Sequence, residues 1–190
     1  MKVRIIYLLF VSTPFAITFL SCNKEAAVVN EEELITSITY TLTPIGQGET
    51  VVFKFVDIDG DGGNPPIKTS TGNLKVNSTY SGSIVLLNES LTPSIEITTE
   101  IQKEKEDHQF FYTLSSSLLD KVVISYSDID ANKNPVGLLT SVKANSPETG
   151  KLKITLRHQP NKNGKDVSLG NIANAGGETD MEVEFDITVQ

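Results

Sequence analysis

Apolar and polar side chains alternate residue by residue along much of the chain, and this pattern restricts the fold more than any other feature. In residues 181–189 every odd-numbered position is apolar and every even-numbered position is polar. Shorter stretches of the same kind lie at 38–42, 51–55, 110–114, 122–126 and 152–156. Alternation with period two is typical of strands that bury one face. The sequence therefore predicts an all-β protein, an antiparallel β-sandwich, with a short helix only in the charged stretch 100–107.

Several short motifs occur twice in the same order. Residues 40–43, 51–52, 57–59, 64–65 and 71–76 resemble residues 112–115, 122–123, 128–130, 134–135 and 149–154. A colinear series of this kind indicates an internal duplication. We expect a first β-unit at 34–103 and a second at 104–190. They would form either two Ig-like units or one pseudo-symmetric sandwich.

The N-terminus has the layout of a bacterial lipoprotein signal peptide. A basic start with Lys2 and Arg4 precedes an apolar run, which ends at Ser21 before Cys22, the only cysteine. The run, interrupted by Pro14, is too short for a comfortable transmembrane helix, which needs about 20 residues. We expect residues 1–21 to be a cleaved lipoprotein signal peptide and Cys22 to accept the lipid. An ordinary cleaved signal peptide with an incidental cysteine is the alternative.

Residues 22–33 are expected to form an acylated tether, since they lack periodicity and finish in three glutamates. The predicted location is therefore outside the cytoplasm. The lipid would anchor the protein to the outer membrane, at its periplasmic face or at the cell surface.

The charge balance limits the classes of partner. The chain has 16 basic and 24 acidic residues, a formal net charge of −8 at pH 7. Nucleic-acid-binding proteins need a basic surface that neutralises phosphates, so a nucleic-acid partner is not expected. The acidic balance also disfavours electrostatic attachment to anionic lipid, which leaves the acyl chains as the membrane anchor.

Two acidic loops follow strands at equivalent positions of the repeat. Oxygen-bearing side chains at alternate positions can converge on one Ca²⁺ ion, which prefers six to eight oxygen ligands. Neither loop is an EF-hand, because Lys68 and Leu139 stand where the bidentate glutamate belongs. Ordinary Asx-rich turns are the alternative interpretation. The candidate calcium ligands are Asp57, Asp59, Asp61 and Asn64 in the first loop and Asp128, Asp130, Asn132 and Asn134 in the second.

His108 and His158 are the only histidines of the chain. His158 continues the inward row of residues 152, 154 and 156, whereas His108 precedes a strand. The two positions are not equivalent in the repeat, so the duplication does not bring them together. A shared metal site competes with the interpretation of satisfied or solvated histidines. The chain contains no zinc-protease helix motif, nucleophile elbow or phosphate-binding loop, so we do not expect an enzyme.

Four segments resemble a family of small bacterial lipoproteins that are often labelled "type 1 periplasmic binding fold superfamily protein". The segments are 57–63 (DIDGDGG), 108–112 (HQFFY), 157–162 (RHQPNK) and 174–180 (NAGGETD). The resemblance implies an association with TonB-dependent uptake systems and an outer-membrane receptor as partner. The label itself denotes a fold with long helices between strands, which the period-two pattern does not predict.

These features together predict a lipid-anchored envelope β-sandwich protein that binds a ligand or a partner. The resemblance adds an accessory role in outer-membrane nutrient or metal uptake. The alternative is a structural or adhesive envelope module that is rigidified by Ca²⁺ in its acidic loops.

Overall fold

The computed structural model describes residues 34–60 and 63–190, and it confirms the all-β sandwich. The predicted signal peptide, Cys22 and the tether 22–33 lie outside the described residues, as does Asp61. None of the helices in the described ranges is long and apolar enough to cross a membrane. The elements are β1 (Ser37–Pro44), β2 (Val51–Val56), β3 (Ile67–Thr71), β4 (Ser78–Asn88), β5 (Ile95–Glu96), α1 (Thr98–Lys103), β6 (His108–Leu114), β7 (Val122–Tyr126), β8 (Leu139–Ala144), β9 (Glu148–His158) and β10 (Glu178–Val189), with 3₁₀ turns at Ser116–Leu118, Val167–Leu169 and Ile172–Asn174.

Within the described residues the strands form two antiparallel sheets. The larger sheet has seven strands in the order β3-β2-β1-β4-β8-β7, with the short β5 also paired to β4. The smaller sheet has the order β10-β9-β6. Each sheet buries the apolar side of its alternating strands. In β10, for example, Val183 and Phe185 are buried, whereas Glu182 and Glu184 face solvent.

Aromatic rings join the two sheets across the core. The rings of Tyr40 on β1 and Tyr112 on β6 have centroids 5.3 Å apart. Phe53 on β2 and Phe185 on β10 lie 5.4 Å apart in the same manner. Such tilted pairs add packing energy beyond the burial of their area. One continuous core therefore lies between the sheets.

The structure does not show the predicted duplication. The repeat equates β1 and β2 with β6 and β7, yet β1 pairs with β2 whereas β6 and β7 belong to different sheets. The pairing of β4 with β8 also places strands of both predicted units in one sheet. The described residues, 34–60 and 63–190, belong to one compact unit.

A close approach of strands surrounds Gly82 in the larger sheet. Gly82 is paired with Leu42 on one side and Thr140 on the other. The Tyr40 hydroxyl and Thr140 Oγ1 share a buried hydrogen bond of 2.6 Å. A Cβ at position 82 would overlap Thr140 Oγ1 and lie 2.7 Å from the Tyr40 hydroxyl oxygen. Only glycine leaves room for this hydrogen bond.

We predict that Gly82→Ala lowers the free energy of unfolding by about 1–3 kcal/mol, because the methyl group overpacks the core and displaces the Tyr40–Thr140 pair. Urea denaturation measures the change. Ser81→Ala is the matched control, since Ser81 is the exposed neighbour on the same strand. An unchanged denaturation midpoint for Gly82→Ala would contradict the packing described here.

Candidate metal centre

The two histidines meet at one end of the smaller sheet. His108 is the first residue of β6, His158 is the last residue of β9, and the strand register pairs them directly. Their ring centroids are 4.6 Å apart, and both residues are buried. Sequence reasoning from the repeat kept them separate. The register between β6 and β9 brings them together instead.

A β-bulge adds Asp180 to this pair. The register between β9 and β10 shifts between Thr179 and Met181, so Asp180 is the extra residue. Bulges turn a side chain to a new direction. The Asp180 carboxylate is almost fully buried, with Oδ2 3.6 Å from His108 Nε2 and Oδ1 3.6 Å from His158 Nδ1. Strict alternation would have placed Asp180 on the outer face with Glu182.

The three side chains converge with a spacing that suits a metal ion. One ligand atom from each of His108, His158 and Asp180 lies within 4.8 Å of the others. Ligand atoms at 2.0–2.2 Å from Zn²⁺ stand about 3.4 Å apart in a tetrahedral site. The separations of His108 Nε2 from Asp180 Oδ2 and of His158 Nδ1 from Asp180 Oδ1 are each 3.6 Å, close to this value. The three groups are thus candidates to hold one metal ion together.

His108 is held in the orientation and tautomer of a ligand. Its Nδ1 lies 3.0 Å from the carbonyl oxygen of Glu104, in the turn after α1. A carbonyl only accepts, so Nδ1 carries the hydrogen, and Nε2 has a lone pair whenever the ring is neutral. Burial lowers the pKa of His108 below its usual value, which favours the neutral ring. Metal-binding histidines commonly have such a second hydrogen bond.

The long connection between β9 and β10 packs against the same end of the sheet. The amide of Gln159 donates to the carbonyl of Asp107 at 2.6 Å. Further along, the 3₁₀ turn residue Val167 and Ala175 form a small apolar cluster with Phe111 of β6. These contacts fix the backbone on both sides of the histidine pair. The candidate ligands therefore lie on elements that hold their positions.

The first acidic loop forms Asx-type turns. Asp57 Oδ1 accepts a 3.0 Å hydrogen bond from the amide of Gly60. Asp59 Oδ2 accepts hydrogen bonds from the Asn64 amide at 2.9 Å and from its Nδ2 at 2.7 Å. These bonds hold the pKa of Asp59 below its ordinary value. The turns support the alternative interpretation of this loop, and a calcium site here stays a prediction.

Asp128 in the second acidic loop also binds backbone amides. Its Oδ1 accepts a 2.8 Å hydrogen bond from Gly137, and its Oδ2 accepts one of 3.2 Å from Leu139. The carboxylate thereby ties the loop to the segment that leads into β8. Calcium ligation by Asp128 would compete with both of these bonds.

The Asp130 carboxylate forms an ion pair with Lys162. Its Oδ1 accepts hydrogen bonds of 2.8 Å from the amides of Asn132 and Asn134, the other two predicted ligands. Its Oδ2 lies 3.0 Å from Lys162 Nζ, and both side chains are buried. The same ammonium donates to the carbonyl of Lys105. Lys162 thus fills the position that a cation bound to Asp130 would take.

Sequence reasoning missed Asp180 as a candidate ligand. A local signal exists, because Glu178, Thr179 and Asp180 are three consecutive polar residues just before the regular alternation of β10. Such a break in period two is where a bulge fits. The break alone does not tell which side chain turns inward.

Comparison of the chain with protein-family models, with curated proteins and with solved structures finds no match. We therefore infer function from the geometry and chemistry of the site.

We predict that Lys162→Met lowers the free energy of unfolding by about 3–5 kcal/mol, because it leaves the buried Asp130 carboxylate without its cation. Chemical denaturation at neutral pH measures the loss. Lys151→Met is the control, since Lys151 pairs with Asp186 on the exposed face of the smaller sheet. This variant should change stability little. Equal effects of the two substitutions would contradict the structural role of the buried pair.

Proposed function

We propose that this chain is a lipid-anchored envelope protein that binds a divalent transition-metal ion, with Zn²⁺ as the best match. His108, His158 and Asp180 are the proposed ligands. The observation that carries the proposal is the convergence of their three ligand atoms within 4.8 Å. The hydrogen bond from His108 Nδ1 to Glu104 supports it, because it leaves Nε2 to face the Asp180 carboxylate.

The donor set selects the class of ion. Two imidazole nitrogens and one carboxylate oxygen suit Zn²⁺ and neighbouring transition metals. Ca²⁺ and Mg²⁺ prefer shells of oxygen ligands, which these side chains do not provide. The proposed site is therefore selective by the chemistry of its ligands.

Binding suits this site better than catalysis. The side chains of His108, His158 and Asp180 are 0%, 11% and 6% exposed, respectively. Such burial suits an ion that is held inside the protein, whereas a catalytic zinc site needs an open position beside a substrate cleft. We accordingly propose a protein that holds the ion and is not an enzyme.

The lipid anchor gives the metal site a cellular context. A lipid on Cys22 would keep the site next to the outer membrane, at its periplasmic face or at the cell surface. The resemblance to lipoproteins of TonB-dependent systems supports an accessory role in metal or nutrient uptake, with an outer-membrane receptor as partner. The calcium-rigidified envelope module remains the alternative, and it depends on the acidic loops.

We predict that Zn²⁺ stabilises the chain from residue 22 onward, carrying Cys22→Ala to keep it water-soluble. After treatment with EDTA, Zn²⁺ at 100 times its Kd should add about 2.7 kcal/mol to the free energy of unfolding. The thermal midpoint measures this gain. His108→Gln and Asp180→Asn should each remove most of the zinc response, because each deletes one ligand.

The control for the zinc experiment is a variant with Asp57→Ala and Asp59→Ala, which should keep the full response to Zn²⁺. The proposal is wrong if Zn²⁺ stabilises the ligand variants as much as the chain with intact ligands. It is also wrong if Zn²⁺ does not stabilise the chain with intact ligands. Stabilisation by Ca²⁺ that disappears in the Asp57/Asp59 variant would support the alternative module.

We also predict that Cys22→Ala releases the full-length protein from the membrane in a bacterium that processes lipoproteins. The wild-type chain should incorporate labelled palmitate and partition into the detergent phase, because acyl chains anchor it. The variant should do neither. Detergent partition without palmitate labelling would contradict lipidation at Cys22.

A further inference from the structure

We propose that Glu178 supplies the fourth ligand of the metal site and closes it toward solvent. This inference rests on the proposed metal-binding function and deepens it. Glu178 does not belong to the cluster of three converged side chains. With Glu178 as a ligand, the site would have four protein ligands.

The strand register places Glu178 in one row with the two histidines. Glu178 pairs with His158 between β10 and β9, and His158 pairs with His108 between β9 and β6. Side chains of directly paired residues lie on the same face of a sheet, with Cβ atoms about 4.5–5.5 Å apart. The contact between the imidazole rings of His108 and His158 shows that these two members of the row lie side by side on β6 and β9.

The bulge directs two carboxylates of β10 to the same face. Thr179 lies between Glu178 and Asp180 and points to the other face, where its hydroxyl accepts a hydrogen bond from Arg157 Nη1. Asp180 is the extra residue and turns back toward His158. The register therefore places Glu178 and Asp180, two residues apart on β10, on the face of the sheet that carries the histidine pair.

The backbone before Glu178 is fixed at a position next to His158. Gly177 has a φ of +69°, and a Cβ there would overlap the carbonyl oxygen of His158. The carbonyl of Gly176 accepts a 3.0 Å hydrogen bond from Arg157 Nε. Close backbone contact of this kind requires glycine. It also holds the Cα of Glu178 beside the site.

The side chain of Glu178, in contrast, is exposed, whereas the three converged ligands are buried. An exposed glutamate changes rotamer at low cost, so its carboxylate can leave the path of an arriving ion and then return. The three converged side chains supply only three of the four ligands of a tetrahedral Zn²⁺ site. Two histidines and two carboxylates give Zn²⁺ the four ligands of a closed tetrahedral site.

The test is the Zn²⁺ affinity of Glu178→Gln, measured by chelator competition on the chain from residue 22 onward with Cys22→Ala. We expect an affinity about 10–100-fold weaker than that of the unsubstituted domain, a loss like that seen when supporting groups of metal sites are removed. With Co²⁺ as the probe, the visible spectrum should also change, because water replaces the carboxylate.

Glu184→Gln is the matched control. It removes the same charge from the same strand, but Glu184 lies on the outer face near Lys151. We expect it to keep the affinity and the Co²⁺ spectrum of the unsubstituted domain. Equal losses in both variants would assign the effect to overall charge and overturn the role of Glu178.

The outcomes separate this inference from the proposed function. Unchanged affinity and an unchanged Co²⁺ spectrum in Glu178→Gln would overturn the fourth ligand, while the three-ligand site would stand. Absence of Zn²⁺ binding by the unsubstituted domain would overturn both. Denaturation of each variant in EDTA is the control for folding. Position 178 is exposed, so we expect Glu178→Gln to unfold with the same midpoint as the parent chain.

Discussion

The two sheets hold together because each presents one apolar face, and the rings of Tyr40, Tyr112, Phe53 and Phe185 meet between those faces. Every polar group on these inner faces loses its contact with water and requires a partner in the protein or a bound ion. The inner face of the smaller sheet ends in His108 and His158. The bulge adds the Asp180 carboxylate at the same end. The same burial that stabilises the sandwich thus concentrates metal-binding groups at its edge.

Asp130 and Asp180 are two buried carboxylates with different partners. Asp130 faces Lys162 Nζ at 3.0 Å, and it accepts hydrogen bonds from two backbone amides. Asp180 instead faces the imidazole rings of His108 and His158, each at 3.6 Å. The first arrangement holds a loop in place. The second places two imidazole rings beside a carboxylate, the ligand types of a transition-metal site.

The fold was predictable from the sequence because period-two alternation directly reports the buried face of each strand. The pattern of residues 181–189 corresponds to the buried and exposed sides of β10. The charged stretch after residue 98 forms only the short helix α1 and a turn. The structure does not show the predicted duplication. Short motifs report strands and turns, but they do not report which sheet each strand joins.

The candidate metal centre was less predictable, because it depends on pairings between distant segments. His108 and His158 are 50 positions apart in number, and only the β6–β9 register makes them neighbours. Asp180 turns inward through a one-residue bulge that reverses its expected side. Lys162 reaches Asp130 from the long β9–β10 connection. Sequence periodicity reports none of these three events.

The most direct test of a shared metal centre is anomalous X-ray diffraction at the zinc edge from crystals of the protein grown with Zn²⁺. We predict one strong peak at about 2.0–2.2 Å from His108 Nε2, from His158 Nδ1 and from a carboxylate oxygen of Asp180. A peak only elsewhere, such as at the acidic loop of Asp57 and Asp59, or no peak at all, would contradict the account.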